Sequence, residues 1–356
     1  MVEPITTFAS LVEPIGRDDF LDNYFGRKPV HIQGAPDRAA AICTWSDFNE
    51  LLQMTDVWSS NNFKMVLDGE HIAAGQFCES SVNRDDFSIM QPDRRQVSKL
   101  LDQGATIVLD RVERLSPGIR RASEAIEMAT SARVSCNAYC SQQQHKAFPS
   151  HFDTTDVFAV HVEGKKTWRV YTGRFENPME RNGFRHTSFS PQYHEEAKGD
   201  LLMEVELKPG DLLYLPAGVY HDALASTDAC LHFSFTLSQP TGLDYLHFVL
   251  GGLADLPIVR KTMPAYDDPK AHQEHLDKLA AAVSEIIGKA DIGAQFREMQ
   301  REKAHEALSD VAMPRRPGQT MHRVRARGAR VVRRGKEVQM ATLSGKATLP
   351  DGTEPM

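Results

Sequence analysis

Nowhere in the 356 residues does an apolar run approach the ~20 residues that a bilayer-spanning helix needs. The opening MVEPITTFASLVEPIGRDDF lacks a basic segment followed by an apolar one, so no secretory signal is expected. Cysteine is scarce and scattered: Cys43, Cys78, Cys136, Cys140 and Cys230 are odd in number and form no disulfide framework, which fits a cytoplasmic protein. The SCNAYC pair, Cys136 and Cys140, has no second Cys or His pair at finger spacing. It reads as two small apolar residues of a strand rather than half a zinc site. Internal repeats and low-complexity tracts are also missing. Acidic residues are absent from 313–336, MPRRPGQTMHRVRARGARVVRRGK, so the rest of the chain is more acidic than its net charge of −7. An acidic body argues against coating nucleic acid and leaves that to the basic tail, where interleaved Val and Ala offer no aromatic stacking on bases.

What is present is ordinary globular composition with a change of texture along the chain. WSDFNELLQM has an apolar face at Phe48, Leu51 and Leu52 and predicts a helix with Ser46 as its N-cap. RRQVSKLLDQG predicts a helix ending near Gly104, and ATIVLDRV a buried strand. Short β segments separated by Gly, Pro and Asn then fill about 132–240, the pattern of a sandwich or barrel. After Pro240 the periodicity is helical. Leu276, Leu279, Ala280, Val283, Ile286 and Ile287 form one stripe, and Asp291 caps a second helix carrying Ile292, Phe296 and Met299. Residues from Pro314 read as β-like or disordered.

The chemistry concentrates in HFDTTDVFAVHVEGKKTW (151–168) and PGDLLYLPAGVYHDA (209–223). Residues i and i+2 of a strand share a face, so His151 and Asp153 can converge on one metal. A lone His-x-Asp arises often by chance, and the third ligand decides: a turn at Pro216–Gly218 delivers His221 on the next strand. Two histidines and one carboxylate match the facial triad of non-haem Fe(II) oxygenases, with coordination positions left open. His145, His161, His186, His194 and His232 are alternatives in the same region, most of them read here as surface or satisfied side chains. In KKTWRVYT, Lys166 shares a face with Trp168 and Val170, whereas Lys165 falls on the other. A lysine pointing into the core needs an anion to meet it; otherwise it snorkels to the surface. One strand earlier, Asn137 and Tyr139 share a face opposite Cys136, Ala138 and Cys140, and both can hydrogen-bond a carboxylate.

The run N-x-Y, H-x-D, V-F, EGKKTWR-Y and PGDLLYLPAG-x-x-H resembles the JmjC-type cupin 2-oxoglutarate oxygenases, closest to the bacterial ribosomal oxygenase branch, which hydroxylates ribosomal proteins. The resemblance is strong over about 130–240, looser before 130 and weak after 310. It implies a mainly β (α+β) fold, a double-stranded β-helix barrel (jelly-roll/cupin) with a catalytic domain over 1–245. A helical dimerisation segment over 246–310 would follow, with a homodimer built through 270–309. Residues 311–356 would be a basic tail or a shortened winged-helix remnant. It implies Fe(II) held by His151, Asp153 and His221, and the distal carboxylate of 2-oxoglutarate held by Lys166 and Tyr139. Asn137 would lie in the same pocket, and O2 would be consumed with release of succinate and CO2. One departure stands before His221: relatives often have Pro-Arg-Gly where this chain has Pro-Ala217-Gly, losing a substrate or structural contact.

Three functions follow as expectations: a hydroxylase of a protein side chain, possible on a ribosomal partner; a hydroxylase of a peptide natural product or small molecule; and a cupin that binds metal or ligand without turnover. The acidic body suits a basic protein partner, and the shortened C-terminus suits the small molecule. An intact triad with its lysine argues against the third. No membrane association is expected.

Overall fold

The computed structural model describes residues 5–82, 86–141, 146–179, 188–225 and 229–306, with three strands beyond them at 330–334, 337–342 and 345–348. Two compact units divide the chain, residues 1–296 and 297–356. In the first, the strands in chain order are β1 (Val30–Ile32), β2 (Phe63–Leu67), β3 (Glu70–His71), β4 (Cys78–Val82), β5 (Ser88–Pro92), β6 (Thr106–Leu109) and β7 (Arg133–Ser141). They continue with β8 (Lys146–His151), β9 (Asp156–Glu163), β10 (Lys166–Arg174), β11 (Leu201–Leu207), β12 (Leu212–Leu215), β13 (Val219–Ala225) and β14 (Cys230–Ser238). An eight-stranded sheet runs β1-β12-β9-β14-β7-β6-β2-β3, and a four-stranded sheet runs β11-β10-β13-β8; β4 and β5 form a separate hairpin. No helix among the described residues is long and apolar enough to cross a membrane.

Strand alternation decides which face does what. On β7 and β14, Cys136, Ala138, Cys140, Phe233 and Phe235 turn to a core shared with Phe8, Leu11, Phe20, Phe48, Ile119 and Ile126 of the helices that cover this face. The opposite face looks toward the smaller sheet. Val157, Ala159, Leu213 and Leu215 of the large sheet pack there on Trp168, Val170, Leu207 and Val219. The β7 and β14 end of that same face is polar and stays open, and there the cavity forms. The fold is thus the expected double sheet with helices, and helix contributes a full layer of it rather than trimming.

Two sequence expectations need correction. The helix Trp45–Leu52 is capped by Thr44, not Ser46, because Thr44 and Asp47 build a reciprocal capping box: Asp47 N–H donates to Thr44 Oγ1 at 3.1 Å and Thr44 N–H to Asp47 Oδ2 at 2.8 Å. Asp291 lies inside the first turn of Ala290–Glu306, where its charge favours the helix N-terminus. The expected apolar stripe is carried by the helix Pro269–Ile287, yet it is not covered. Leu276 is 45% exposed and Leu279, Val283, Ile286 and Ile287 are half-buried. In the second unit Arg330–Arg334, Glu337–Thr342 and Gly345–Thr348 form an antiparallel three-stranded sheet. Most of the basic segment 313–336 lies outside the described residues, as do His145 and His186.

Candidate active site

A cavity of about 420 Å³ lies between the sheets, with His151, Asp153 and His221 at its open side and Lys166, Trp168 and His232 on its inner wall. β13 brings His221 directly opposite His151, the last residue of β8, and the two rings stand 4.6 Å apart. Asp153 follows two residues later, its Oδ1 3.8 Å from His151 Nε2 and its Oδ2 3.6 Å from His221 Nε2. One ligand atom from each lies within 4.8 Å of the other two, close enough to share a cation. The chain also fixes the tautomers. His151 Nδ1 donates to Pro149 O at 2.8 Å and His221 Nδ1 to Val219 O at 3.0 Å, so each Nε2 lone pair faces the common point. Burial, reinforced by His221, lowers the His151 pKa to about 4, which keeps that imidazole neutral and ligating near pH 7.

Asp153 is further held through its backbone. Gly218 N–H donates to Asp153 O at 2.8 Å, and Gly218 sits at φ +82° with Phe175 O only 1.9 Å from where a Cβ would be. Only glycine fits this turn. Ala217 beside it is held by its backbone: its N–H donates to Asp156 Oδ1 at 2.8 Å, and Arg174 Nε donates to its carbonyl at 3.0 Å. The turn therefore keeps a guanidinium contact although residue 217 has no side chain to provide one.

The inner wall is built for an anion. Lys166 is 4% exposed and makes no ion pair among the described residues, its Nζ lying 5.8 Å from the Trp168 ring centre. Burial lowers its pKa, so the cation is held at a cost that an anionic ligand would offset. Trp168 Nε1 and His232 Nδ1 are buried without a hydrogen-bond partner among the described residues. Unpaired buried polar atoms are rare in native proteins, and two of them beside Lys166 fit the polar groups of an anionic ligand. Tyr139 stacks on His232 at 4.9 Å, and burial with the nearby Asp153 and Asp110 pushes its phenol well above the usual range, so it stays protonated. Asn137 hydrogen-bonds Tyr139, while its own Oδ1 accepts from Arg111 N–H at 3.2 Å, Arg111 being left-handed at φ +59°. That polarity presents the Asn137 amide nitrogen to the phenol oxygen and sets Tyr139 to donate its hydrogen onward. Donors of this kind around a lysine fit a dicarboxylate whose other end reaches the His-Asp-His cluster.

All six residues expected from sequence line this one cavity. Lys165 is outside it, paired with Glu206 at 3.2 Å on the surface. Of the histidines read as surface or satisfied, His161 and His194 are buried with hydrogen-bond partners, and His232 is buried and departs from that reading. His194 meets Tyr220 Oη at 3.1 Å and is a packed core residue, whereas His232 belongs to the cavity. Its signal was in CLHFSFTLS, where alternation puts His232 and Ser234 opposite Phe233 and Phe235. Lys64 and Asp110, an ion pair that also lines the cavity, are too distant in sequence to be connected beforehand.

His161 makes a separate prediction. It is fully buried, with Nε2 donating to Gly164 O at 3.0 Å, and burial holds its pKa at about 4. A folded-state value below the unfolded ~6.5 means the unfolded chain binds the proton that the native imidazole refuses. The stability of the metal-free protein is therefore complete above pH 6.5 and falls as pH drops from 6.5 toward 4, by on the order of 3 kcal/mol for this residue. Urea unfolding at pH 7 and pH 5 should show a smaller loss for His161→Gln than for the parent; an equal loss rules out this cause.

Residues 113–245 match the family model of the JmjC domain. Over 217 residues the chain is 26% identical to the "Bifunctional lysine-specific demethylase and histidyl-hydroxylase NO66" of Aedes aegypti, covering 61% of this chain and 32% of that protein. Over 256 residues it is 26% identical to "Ribosomal oxygenase 2" of Rattus norvegicus, covering 71% of this chain and 51% of the relative. The chain thus spans between a third and a half of the length of these curated relatives. Among solved structures, YcfD, a ribosomal oxygenase from Escherichia coli in complex with cobalt and 2-oxoglutarate, is similar with TM-score 0.52 and 16% identity, covering 93% of this chain and 85% of that one. At that identity the likeness speaks for the fold.

Proposed function

From a chain whose residues 113–245 carry a JmjC domain, we propose an Fe(II)- and 2-oxoglutarate-dependent dioxygenase that hydroxylates a protein side chain. The observation that carries the reading is one cavity lined by a His-Asp-His cluster and by a buried lysine that makes no ion pair among the described residues. His151, Asp153 and His221 are the metal ligands; Lys166 and Tyr139, with Asn137 behind, hold the distal carboxylate of the cosubstrate. Bound iron, with 2-oxoglutarate and O2, supplies an oxidative decarboxylation that leaves succinate and CO2 and places one oxygen atom on a substrate C–H.

The protein's part is position and exclusion of water. Two histidines with their tautomers locked by backbone carbonyls and one partly exposed carboxylate would hold the cation. Lys166 neutralises the far carboxylate in a dry pocket, where a charge-assisted contact is strong. No side chain needs to act as acid or base.

Anaerobic addition of Fe(II), then 2-oxoglutarate, to the metal-free protein tests the reading. A visible charge-transfer band that needs both additions supports it. Metal binding with no band would turn the reading to a binding or sensing cupin. The names of the relatives NO66 and ribosomal oxygenase 2 favour a protein substrate over a small molecule, and the acidic body favours a basic one. Ribosomal proteins from a deletion strain should lack the mass of one oxygen on a single protein; unchanged masses throughout point to a small-molecule substrate instead. Five buried, unpaired cysteines suit the reducing cytoplasm.

The helices between residues 246 and 306 serve, in this reading, as the dimer arm, and the half-exposed stripe of Pro269–Ile287 is its contact. Leu279→Glu with Val283→Glu should convert a dimer to a monomer in light scattering, at little cost to the melting temperature of each subunit. A parent protein that is monomeric at micromolar concentration removes the proposal. The basic tail makes phosphate contact at most.

A further inference from the structure

Both ladders that should hold β13 in place fail beside His221. On β8 the register slips between His151 and Phe148, where Pro149, which has no N–H to donate, and Ser150 together oppose Asp222 alone. On β10 the register with β13 slips between Val170, the residue paired with His221, and Arg174, so that Tyr171, Thr172 and Gly173 oppose Tyr220 alone. His221 is thus carried by a strand with irregular neighbours on both sides, in a position where its Nε2 must stay in reach of His151 and Asp153.

The next residue repairs both breaks. Asp222 points to the other face of the sheet from His221 and is 5% exposed. Its Oδ2 accepts from Ser150 Oγ at 2.6 Å and from Tyr171 Oη at 2.8 Å. The two donors lie within the two stretches where the register slips. One buried carboxylate oxygen therefore ties β8, β13 and β10 together, one residue from His151 on one side and one residue from His221 on the other. Phe152 and Tyr220 pack with Tyr171 in a small apolar cluster on this face, which limits competition from water. Burying a carboxylate for structure alone is expensive, and replacing it by apolar packing is often neutral or better. Here the oxygen does what the interrupted ladders cannot.

We infer that Asp222, through Ser150 and Tyr171, is a positioning residue that sets the His151–His221 spacing and so the affinity of the metal site. The inference rests on the oxygenase reading above, because it takes His151 and His221 as metal ligands. Asp222 touches neither metal nor cosubstrate in this arrangement. Removal of groups that orient metal ligands typically costs about 10–100-fold in metal affinity, and that range is expected here.

Co(II) alone is the probe, titrated anaerobically into metal-free protein and followed by its visible absorption. Asp222→Ala should weaken Co(II) binding by about 10–100-fold, while Asp222→Asn, which keeps an oxygen acceptor, should recover most of the loss. The pair Ser150→Ala and Tyr171→Phe, combined, leaves Asp222 in place and removes both donors; it should weaken binding in the same direction. At saturating Co(II), 2-oxoglutarate affinity should stay within about twofold of the parent, because Lys166 and Tyr139 lie on the other face; a general loss of folding would lower both affinities together. Parent-like Co(II) affinity in folded Asp222→Ala, or in the double variant where Asp222→Ala does not fold, overturns the inference. A parent protein that fails to bind Co(II) at all overturns the oxygenase reading instead.

Discussion

Replacing His221 by alanine should lower succinate formation from 2-oxoglutarate by more than about a hundredfold, beyond what loss of a residue behind a ligand costs. His221 is the middle of the cluster: it pairs in register with His151, and its Nε2 stands 3.6 Å from Asp153 Oδ2. The remaining His151 and Asp153 are one ligand short of the facial set and hold a cation poorly. The fold should survive. The imidazole borders the cavity, its backbone ladder to Val170 persists, and the adjacent Asp222 clamp is untouched. Circular dichroism of the metal-free variant should match the parent, while Co(II) absorption and succinate release are lost together. A folded variant that makes succinate at the parent rate would sink the assignment of the triad.

Replacing Lys166 by alanine should raise the apparent constant for 2-oxoglutarate and affect the metal little. A charge-assisted contact of ~1.5–3 kcal/mol corresponds to about 10–100-fold in that constant. The structure adds a second expectation that separates this lysine from an ordinary structural one. Lys166 is buried with no ion pair among the described residues, and burial already lowers its pKa. Removing it relieves the metal-free protein of a desolvated cation, so the melting temperature without cosubstrate should not fall. The stabilisation that 2-oxoglutarate confers should largely vanish. A lower melting temperature with an unchanged constant would mean that Lys166 serves packing and that another cation, such as the exposed Lys165, meets the cosubstrate.

These two experiments act on residues that could be read from the chain, and the reason is local. Strand alternation is a property of the backbone, so Lys166 with Trp168, and Asn137 with Tyr139, fall on predictable faces. The spacing in HFD and the turn at Pro216–Gly218 are equally local. The N-cap at Thr44 was misassigned because Ser46 and Thr44 both satisfy the composition rule, and only the Asp47 carboxylate reaching back chooses between them. His232 reads from the sequence as one of several surface or satisfied histidines. Its neighbour across the ladder, Tyr139, lies nearly a hundred residues away and makes it a wall of the cavity.

By itself the sequence determined the strand-rich middle, the helical close, the six candidate residues and the face each one occupies, because periodicity and turn chemistry act over a few residues at a time. Tertiary structure alone decided that the six converge on one cavity. It also decided that Lys64, Asp110 and His232 join them, and that Ser150 and Tyr171 meet on Asp222. Those are pairings between strands distant in the chain, set by register and by bulges, and a one-residue slip in any of them would turn the same side chains to the opposite face.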